Sequence, residues 1–285
     1  MTTMSRPIDW RTVSTKPVEM TITPKIALEM LEANTRNRHI RASHVDFLVE
    51  EFKAGRCVFD GSPIKFSASG ILLDGQHRLR AVVESGVTLR AVVIGGLSDD
   101  AMATIDTGIP RTLSDAYRLN GSLNNTQTAA LARLVNTWSD TDGISAVMIH
   151  KKLSNARGLE VLRDFPEIAD SVAWYARQPS DVRMYMPAAA SFCHWLLSRY
   201  GGERGDQWIS GMIAGTGLRE EDPRVALRRY LMGSMKSTRA TKTKVSQIAT
   251  TVKAWNCYLT GKKVSLSIFR SGEVFPIPRR PEEFA

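Results

Sequence analysis

A short apolar segment that breaks at a glycine and continues as a helix constrains this chain more than any other feature. Residues 71–81 read Ile-Leu-Leu-Asp-Gly-Gln-His-Arg-Leu-Arg-Ala. The three apolar residues before Asp74-Gly75 suit a short buried strand, and apolar residues recur with helical spacing after the glycine. The sequence therefore predicts a strand, a glycine turn and a helix that begins near Gln76 or His77.

The turn places Gln76, His77 and Arg78 at the start of this helix. A helix N-terminus carries backbone N–H groups without intrahelical partners and the positive end of the helix dipole. A small turn residue, two basic side chains and unpaired amides make a suitable phosphate site. Arg78 is the residue that most requires a bound anion, because a cation at a helix N-terminus is otherwise unfavourable.

Residues 74–78, Asp-Gly-Gln-His-Arg, resemble the signature of the ParB/sulfiredoxin-like superfamily. They are similar to the form found in many bacteriophage ParB-like proteins and in DGQHR-type regulators of DNA modification. Asn37-Arg38 resembles an Asn-Arg pair that lies upstream in the family, and the resemblance covers residues 17–115. It implies a domain that binds a nucleoside triphosphate, ATP or CTP, together with Mg²⁺.

The resemblance also implies roles for individual residues. The residues expected to contact the nucleotide are Asn37, Arg38, Gly75, Gln76, His77 and Arg78. The candidates for catalysis are Asp74, Gln76 and His77, with Asp74 nearest to a role as Mg²⁺ ligand or base. Two of these residues have a structural alternative. Asp74 could cap the helix, and His77 could be a partly buried ring bonded to a backbone carbonyl.

Gln76 separates this chain from the sulfiredoxin branch, which has a cysteine at that position. An amide cannot act as a thiolate nucleophile, so sulfinic-acid reduction is disfavoured. Three functions stay open. The first is a nucleotide-binding, DNA-associated protein, with hydrolysis, if any, slow and switch-like. The others are a nucleotide-independent DNA-binding regulator and an enzyme acting on DNA, a nuclease or a kinase.

A second feature is a long basic stretch. The chain carries a net charge of +9, and residues 223–272 contain eleven Lys and Arg but no Asp or Glu. A one-signed run of this length favours a polyanionic partner, most simply DNA, over a solvated helical face. The residues expected to contact DNA are Arg111, Arg228, Arg229, Lys242 and Lys244. Arg111 and Asp106 have two equally weighted interpretations. They border the nucleotide or DNA groove, or they form an ion pair on the surface.

Composition limits the class of protein. The 285 residues are 43% hydrophobic and 24% charged, which is ordinary for a globular protein. No apolar run approaches a membrane span, and the first ten residues lack the apolar core of a signal peptide. Three widely spaced cysteines and five histidines form neither a disulfide framework nor a metal motif. We therefore expect a reducing, cytoplasmic setting without a metal site, and the resemblance leaves a homodimer open.

The expected fold is α+β, with a small ParB/sulfiredoxin-like mixed domain followed by an all-helical domain. The predicted segments are a leader at 1–16, the mixed domain at 17–115, a basic helical domain at 116–262 and a Pro/Arg-rich tail at 263–285. Strands are predicted at 18–22, 63–67, 71–73, 88–94 and 264–269. Thr23 is predicted to cap a helix at 24–33 with Pro24 at its first position. Further helices are predicted after a Ser43 cap to Gly55, from the turn to Gly86, at 98–105, and near 112–119, 124–138, 144–153, 158–177, 186–200, 204–214, 223–235 and 243–259.

Overall fold

The chain divides into two compact units. The computed structural model describes residues 9–37, 39–105, 109–141, 152–178, 184–235, 243–261, 268–270 and 272–284. Contacts separate an N-terminal unit, Met1–Pro110, from a C-terminal unit, Arg111–Ala285. The division falls a few residues before the predicted boundary at 115. Across the described residues the protein is a mixed α+β structure, with one small sheet in the N-terminal unit.

The sheet has four strands, all within a few residues of their predicted positions. They are β1 (Val18–Ile22), β2 (Pro63–Ser67), β3 (Leu72–Asp74) and β4 (Leu89–Leu97). Their order is β1-β4-β2-β3, with β4 antiparallel to β1 and parallel to β2, and with β2 and β3 forming an antiparallel hairpin. This order brings the beginnings of β2 and β4 next to the end of β3.

Three helices complete this unit: α1 (Pro24–Glu32), α2 (Ala42–Lys53) and α3 (Gln76–Ser85). Thr23 caps α1 as predicted, since its side chain accepts a hydrogen bond from the Ile26 amide. The predicted Ser43 cap is wrong, because α2 already begins at Ala42 and has no side-chain cap. Buried side chains from the sheet and helices form one core, including Ile22, Met30, Ile64, Leu72, Leu79 and Val82.

The described elements of the C-terminal unit are helical. They are α4 (Leu113–Leu119), α5 (Asn125–Thr141), α6 (Asn155–Asp164), α7 (Ile168–Ala176), α8 (Pro187–Ala214), α9 (Pro223–Met235) and α10 (Lys244–Thr260), followed by a 3₁₀ turn at Pro281–Phe284. Their core contains the fully buried Trp195, Trp208 and Trp255. The predicted helix at 144–153 lies almost wholly outside the described residues, as does most of the predicted strand at 264–269.

One helix prediction in this unit was wrong. The predicted helix 158–177 is two helices, because Phe165 has an extended φ of −131° and precedes a proline, which disfavours the helical conformation before it. The predicted break between helices 186–200 and 204–214 is confirmed, because Gly202 has a non-helical backbone (φ 54°, ψ −141°) and divides α8 into two helical parts. Within the described residues, none of the helices combines the length and apolar character needed to cross a membrane.

Candidate functional site

The predicted turn lies between β3 and α3 and depends on its glycine. Gly75 has a φ of +105°, in the left-handed region that favours glycine. A Cβ at this position would lie 2.4 Å from Cδ1 of the buried Ile64. Gly75 is the N-cap of α3 and contributes no side-chain bond, so Asp74 does not cap the helix. The amides of the first turn are therefore left without a side-chain cap.

A cavity of about 550 Å³ surrounds this turn. Its wall includes all five residues of the Asp-Gly-Gln-His-Arg stretch, together with Asn37, α2 side chains, residues of the loop after α2, and the first residues of β2 and β4. We call this space the turn cavity. Its volume is in the range of sites that hold small molecules. Six of the seven residues proposed above for nucleotide binding or catalysis line this one cavity: Asn37, Asp74, Gly75, Gln76, His77 and Arg78.

The seventh of these residues is Arg38, and Arg111 is a predicted DNA contact. Arg38 lies outside the described residues. Arg111 is exposed and begins the C-terminal unit, where its backbone carbonyl accepts a hydrogen bond from Asn155 Nδ2 at 3.1 Å. Asp106, its predicted companion, also lies outside the described residues. The place of Arg111 beside the nucleotide or DNA groove stays a prediction.

Asp74 lies between two cations. Its Oδ2 is 3.4 Å from Lys65 Nζ and 3.5 Å from an Arg78 guanidinium nitrogen, and all three side chains are at most a quarter exposed. Two adjacent positive charges oppose the approach of a divalent cation to this carboxylate. Asp74 is thus placed to hold Lys65 and Arg78 in the cavity wall, and it fits poorly as a Mg²⁺ ligand.

Arg78 has protein partners that the sequence did not reveal. One terminal nitrogen donates to the Ser62 carbonyl at 2.9 Å and the other to the Pro63 carbonyl at 2.7 Å. The premise that only a bound anion explains Arg78 is therefore wrong, because the start of β2 and Asp74 already compensate its charge. Arg78 still lines the turn cavity.

Gln76 and Asn37 form side-chain hydrogen bonds near the turn. Gln76 is only 5% exposed, and its Oε1 accepts a hydrogen bond from Asn34 Nδ2 at 3.2 Å. Asn37 Nδ2 donates to Asn34 Oδ1 and to the Leu72 carbonyl, both at 2.6 Å. These bonds connect the loop after α1 to the end of β3. They engage the side-chain oxygen of Gln76, which was one of the three candidates for catalysis.

His77 connects the turn to the start of α2. Its Nε2 accepts a hydrogen bond from the Arg41 amide at 3.2 Å, so in the neutral ring the hydrogen resides on Nδ1. The His44 ring lies 5.1 Å away, and both rings line the cavity. A ring with this tautomer suits hydrogen-bond donation better than proton abstraction at Nε2.

Sequence reasoning missed several residues of the cavity wall, among them Lys65, Arg90 and Cys57. Lys65 and Arg90 add positive charge, and Cys57 adds a thiol. Although Cys57 is exposed as a residue, desolvation of its thiol is the main cause that raises its pKa, and Asp60 raises it further. A raised thiol pKa disfavours the thiolate, so Cys57 does not replace the cysteine that Gln76 excludes.

Apolar and polar residues alternate at the start of β2, which places Lys65 on the opposite face from the buried Ile64 and Phe66. This alternation is a signal that could have identified Lys65. Arg90 could not have been found in this way, because its place beside the turn depends on the parallel pairing of β2 with β4. Arg90 also forms an ion pair with Glu19 of β1, at 2.5 Å.

In the C-terminal unit, Arg228 is a structural residue. It donates to the Met212 carbonyl at 2.5 Å and to the Ile213 carbonyl, in the last turn of α8. Its guanidinium lies where a Cβ on Gly215, the C-cap of α8, would be. A cation that satisfies terminal carbonyls is favourable at a helix C-terminus. Arg228 is therefore explained without DNA.

Residues 223–272 contain no acidic residue, but acidic residues lie next to them in the structure. Residues just outside the two ends of this stretch supply carboxylates to its cations. The pairs are Arg224 with Asp222 at 2.6 Å, Arg229 with Glu220, and Lys253 with Glu273 at 2.5 Å. The predicted one-signed surface is thus corrected for the described part of the stretch. Lys244 is half-buried at the first position of α10, and Lys242 lies outside the described residues.

Comparison of the chain with family models, curated proteins and solved structures found no match. The likeness of the turn to ParB/sulfiredoxin-like proteins therefore stays a resemblance.

Proposed function

We propose that the N-terminal unit binds a nucleoside triphosphate, ATP or CTP, in the turn cavity. The observation that carries this proposal is the position of an uncapped helix N-terminus in the wall of a cavity of about 550 Å³. Phosphate oxygens suit such a helix end because the first amides need acceptors. On the same grounds we propose that the unit has a ParB/sulfiredoxin-like fold.

The charge of the cavity wall supports a phosphate-bearing ligand. Lys65, Arg78 and Arg90 contribute three positive charges, against the carboxylates of Asp60 and Asp74. This leaves a net charge of +1 with the histidines neutral, before the helix dipole is counted. Because Glu19 pairs with Arg90 and Asp74 with the other two, the cations are held in place before a ligand arrives.

The apolar part of the wall favours a nucleotide over a bare phosphate or a DNA backbone. Leu48, Phe52, Leu89 and Ala91 line the same cavity as the turn. A small-molecule site combines apolar walls with a few polar groups that fix orientation. A backbone phosphate of DNA would need the turn on an open surface rather than in a cavity with apolar walls.

We propose binding rather than fast turnover as the main activity. Asp74, Gln76 and His77 all have hydrogen-bonding or ionic partners within the protein. Mg²⁺ would then be carried by the phosphates themselves, where charge neutralisation is its usual contribution. A slow hydrolytic switch is compatible with this arrangement, because phosphoryl transfer requires positioning more than covalent chemistry.

DNA binding by the C-terminal unit stays a hypothesis with narrower support. It now rests on the net charge of +9 and on the eleven Lys and Arg of residues 223–272. If DNA binds, its affinity should fall by about 0.9 log units per log of salt for each phosphate contacted. Fluorescence anisotropy with a labelled duplex between low and moderate salt tests this, and a flat response would remove DNA from the proposal.

Isothermal titration calorimetry with ATP, CTP and GTP, with and without Mg²⁺, tests the nucleotide proposal. We expect ATP or CTP to bind and Arg78→Ala to weaken binding about ten- to a hundredfold, as expected for loss of a charge-assisted contact. Arg80→Ala is the matched control, because Arg80 lies on the same helix, pairs with Glu84 and is not part of the cavity wall. Absence of heat with every nucleotide would refute the proposal.

A further inference from the structure

A loop that borders the turn cavity is fastened at both ends. Residues 55–62, which we call the strap, contain neither helix nor strand. Gly55 and Gly61 have φ values of +69° and +76°, and a Cβ on either would have no other atom within 4 Å. Glycine has a wider range of backbone conformations than other residues, and these two have open space around them. They are therefore suited to act as hinges about which the strap moves.

The two fastenings are of different kinds. At the first end, the Arg56 guanidinium binds both carboxylate oxygens of Glu51 at 2.8–3.1 Å. At the other end, Arg78 donates to the carbonyls of Ser62 and of Pro63, the first residue of β2. The first fastening is an ion pair with the preceding helix, whereas the second uses a residue of the phosphate-binding turn.

The middle of the strap forms part of the cavity wall. Cys57, Val58 and Asp60 line the cavity, and Val58 is 77% exposed. Phe59, also in the strap, makes a cation–π contact with Arg90 of β4. The guanidinium carbon lies 4.5 Å from the centre of the Phe59 ring. The position of the strap therefore determines how wide this side of the cavity is open.

We infer that Arg78 is a latch shared between the strap and the phosphate of a bound ligand, so that filling the turn cavity releases the strap. This inference rests on the proposed function, since it needs a phosphate-bearing ligand at Arg78. A guanidinium binds phosphate best through two parallel N–H groups. The guanidinium has five N–H groups, but the end that carries both terminal nitrogens already donates to the Ser62 and Pro63 carbonyls and lies 3.5 Å from Asp74. A phosphate that binds this end of Arg78 therefore competes with the strap. Being charged, the phosphate accepts stronger hydrogen bonds than a peptide carbonyl does.

The thiol of Cys57 offers a reporter on the strap itself. Cys193 is buried, so in a Cys257→Ser background a nitroxide label reacts selectively at Cys57. Electron paramagnetic resonance of the labelled full-length protein then measures how freely the strap moves. Without ligand, we expect Arg78→Ala to shift the closed-to-open ratio about ten- to a hundredfold towards open, while Arg80→Ala leaves it unchanged. Arg78→Lys retains the charge and should show the same loss of closure, which separates the latch from a folding defect.

The ligand arm adds ATP, CTP or inorganic tripolyphosphate to the labelled protein, with binding followed in parallel by calorimetry. The expected result is that binding increases label mobility in the parent protein and causes no further increase in Arg78→Ala. Binding without a change in mobility would overturn the latch and leave the proposed function standing. No binding by any of the three, together with a normal response to Arg78→Ala, would overturn both the ligand-driven release and the proposed function. An unaltered spectrum in Arg78→Ala overturns the latch whatever the ligands do.

Discussion

Two arginines make the same kind of contact in the two units. Arg78 donates to two consecutive carbonyls at the start of β2, and Arg228 donates to two consecutive carbonyls in the last turn of α8. Their settings differ. Arg228 lies against the C-terminal end of a helix, where a cation is favourable, whereas Arg78 lies at the N-terminal end of its own helix, where a cation is not.

The difference indicates what each arginine is for. Arg228 combines favourable helix-end electrostatics with satisfied carbonyls, so its contribution is to stability. Arg78 lies at a helix end that does not favour a cation, so Asp74 and the carbonyls of β2 compensate its charge, and it lines a cavity that also contains Lys65 and Arg90. Places where a chain departs from the locally favourable choice are commonly functional sites. The turn cavity is therefore the better candidate site, although the longer basic stretch lies in the other unit.

The largest predicted effect tests how strictly the turn requires glycine. Gly75→Ala should destabilise the protein by about 3 kcal/mol, from the left-handed backbone and from the close approach to Ile64. Gly70 is the matched control, because it also has a positive φ (81°) but no atom within 4 Å of a Cβ. Gly70→Ala should cost only about 1–2 kcal/mol in urea denaturation. Equal losses at the two positions would contradict the steric argument.

A double-mutant cycle sharpens this test. The atom 2.4 Å from the added Cβ is Cδ1 of Ile64, which Ile64→Val removes, and the next atom is 3.3 Å away. Gly75→Ala should therefore cost about 1 kcal/mol less in the Ile64→Val background than in the parent protein. Simple additivity of the two substitutions would show that the close approach contributes nothing.

The second prediction tests Arg228 as a helix cap. Arg228→Ala removes two charge-assisted hydrogen bonds to terminal carbonyls and should destabilise the protein by about 2–3 kcal/mol. The neighbouring Arg229→Ala removes an exposed ion pair with Glu220 and should change stability by less than about 1 kcal/mol. Thermal denaturation of the pair measures the difference. If Arg228→Ala leaves stability unchanged but weakens DNA binding, the structural role assigned to it is wrong.

The third prediction compares two ion-paired lysines, one from each unit. Lys65 and Lys253 have side chains 25% and 22% exposed, and each has a carboxylate partner. Lys65→Met should weaken nucleotide binding about tenfold, since it removes a cation from the cavity wall. Lys253→Met should leave nucleotide binding unchanged. Calorimetry on both variants checks this, and equal affinities would remove Lys65 from the site.

The features that the sequence predicted well are those decided by neighbouring residues. Thr23 before Pro24, Gly75 before the helical pattern, and Gly86 at its end each set a local conformation, and the structure confirms all three. The cavity residues of the turn were therefore found together, because they are consecutive. Ser43 was misassigned because the helix began earlier without any capping side chain.

The features that the sequence did not reveal depend on residues far apart in the chain. The partners of Arg78 are separated from it by a hairpin, and Arg90 reaches the cavity through strand pairing. The charge of the basic stretch was overestimated for a different reason. Asp222 and Glu273 lie one residue beyond its two ends, so a count along the chain omitted the acids that pair with it.

The smallest predicted effect concerns His194, a partly buried histidine of the C-terminal unit. His194 Nδ1 lies 3.0 Å from Ser171 Oγ, and its ring stacks on Trp174 at 4.3 Å. Desolvation is the main cause that lowers its pKa below 6.5 and Arg177 acts in the same direction, while Asp206 and Asp170 oppose the shift. The folded protein thus favours the neutral ring.

The sign of the pH effect follows from proton uptake on unfolding. At pH values below about 6.5 the unfolded chain binds a proton at this position more readily than the folded protein does, so stability falls as the pH decreases. Urea denaturation at pH 7.5 and 5.5 should show this decrease, and His194→Gln should reduce it, while His39→Gln at an exposed loop position serves as the control. A full pH dependence in His194→Gln would assign the effect to other groups. Because His194 belongs to the C-terminal unit, the nucleotide affinity of His194→Gln at pH 7.5 should equal that of the parent protein. This result would separate residues that stabilise one unit from residues that bind ligand in the other.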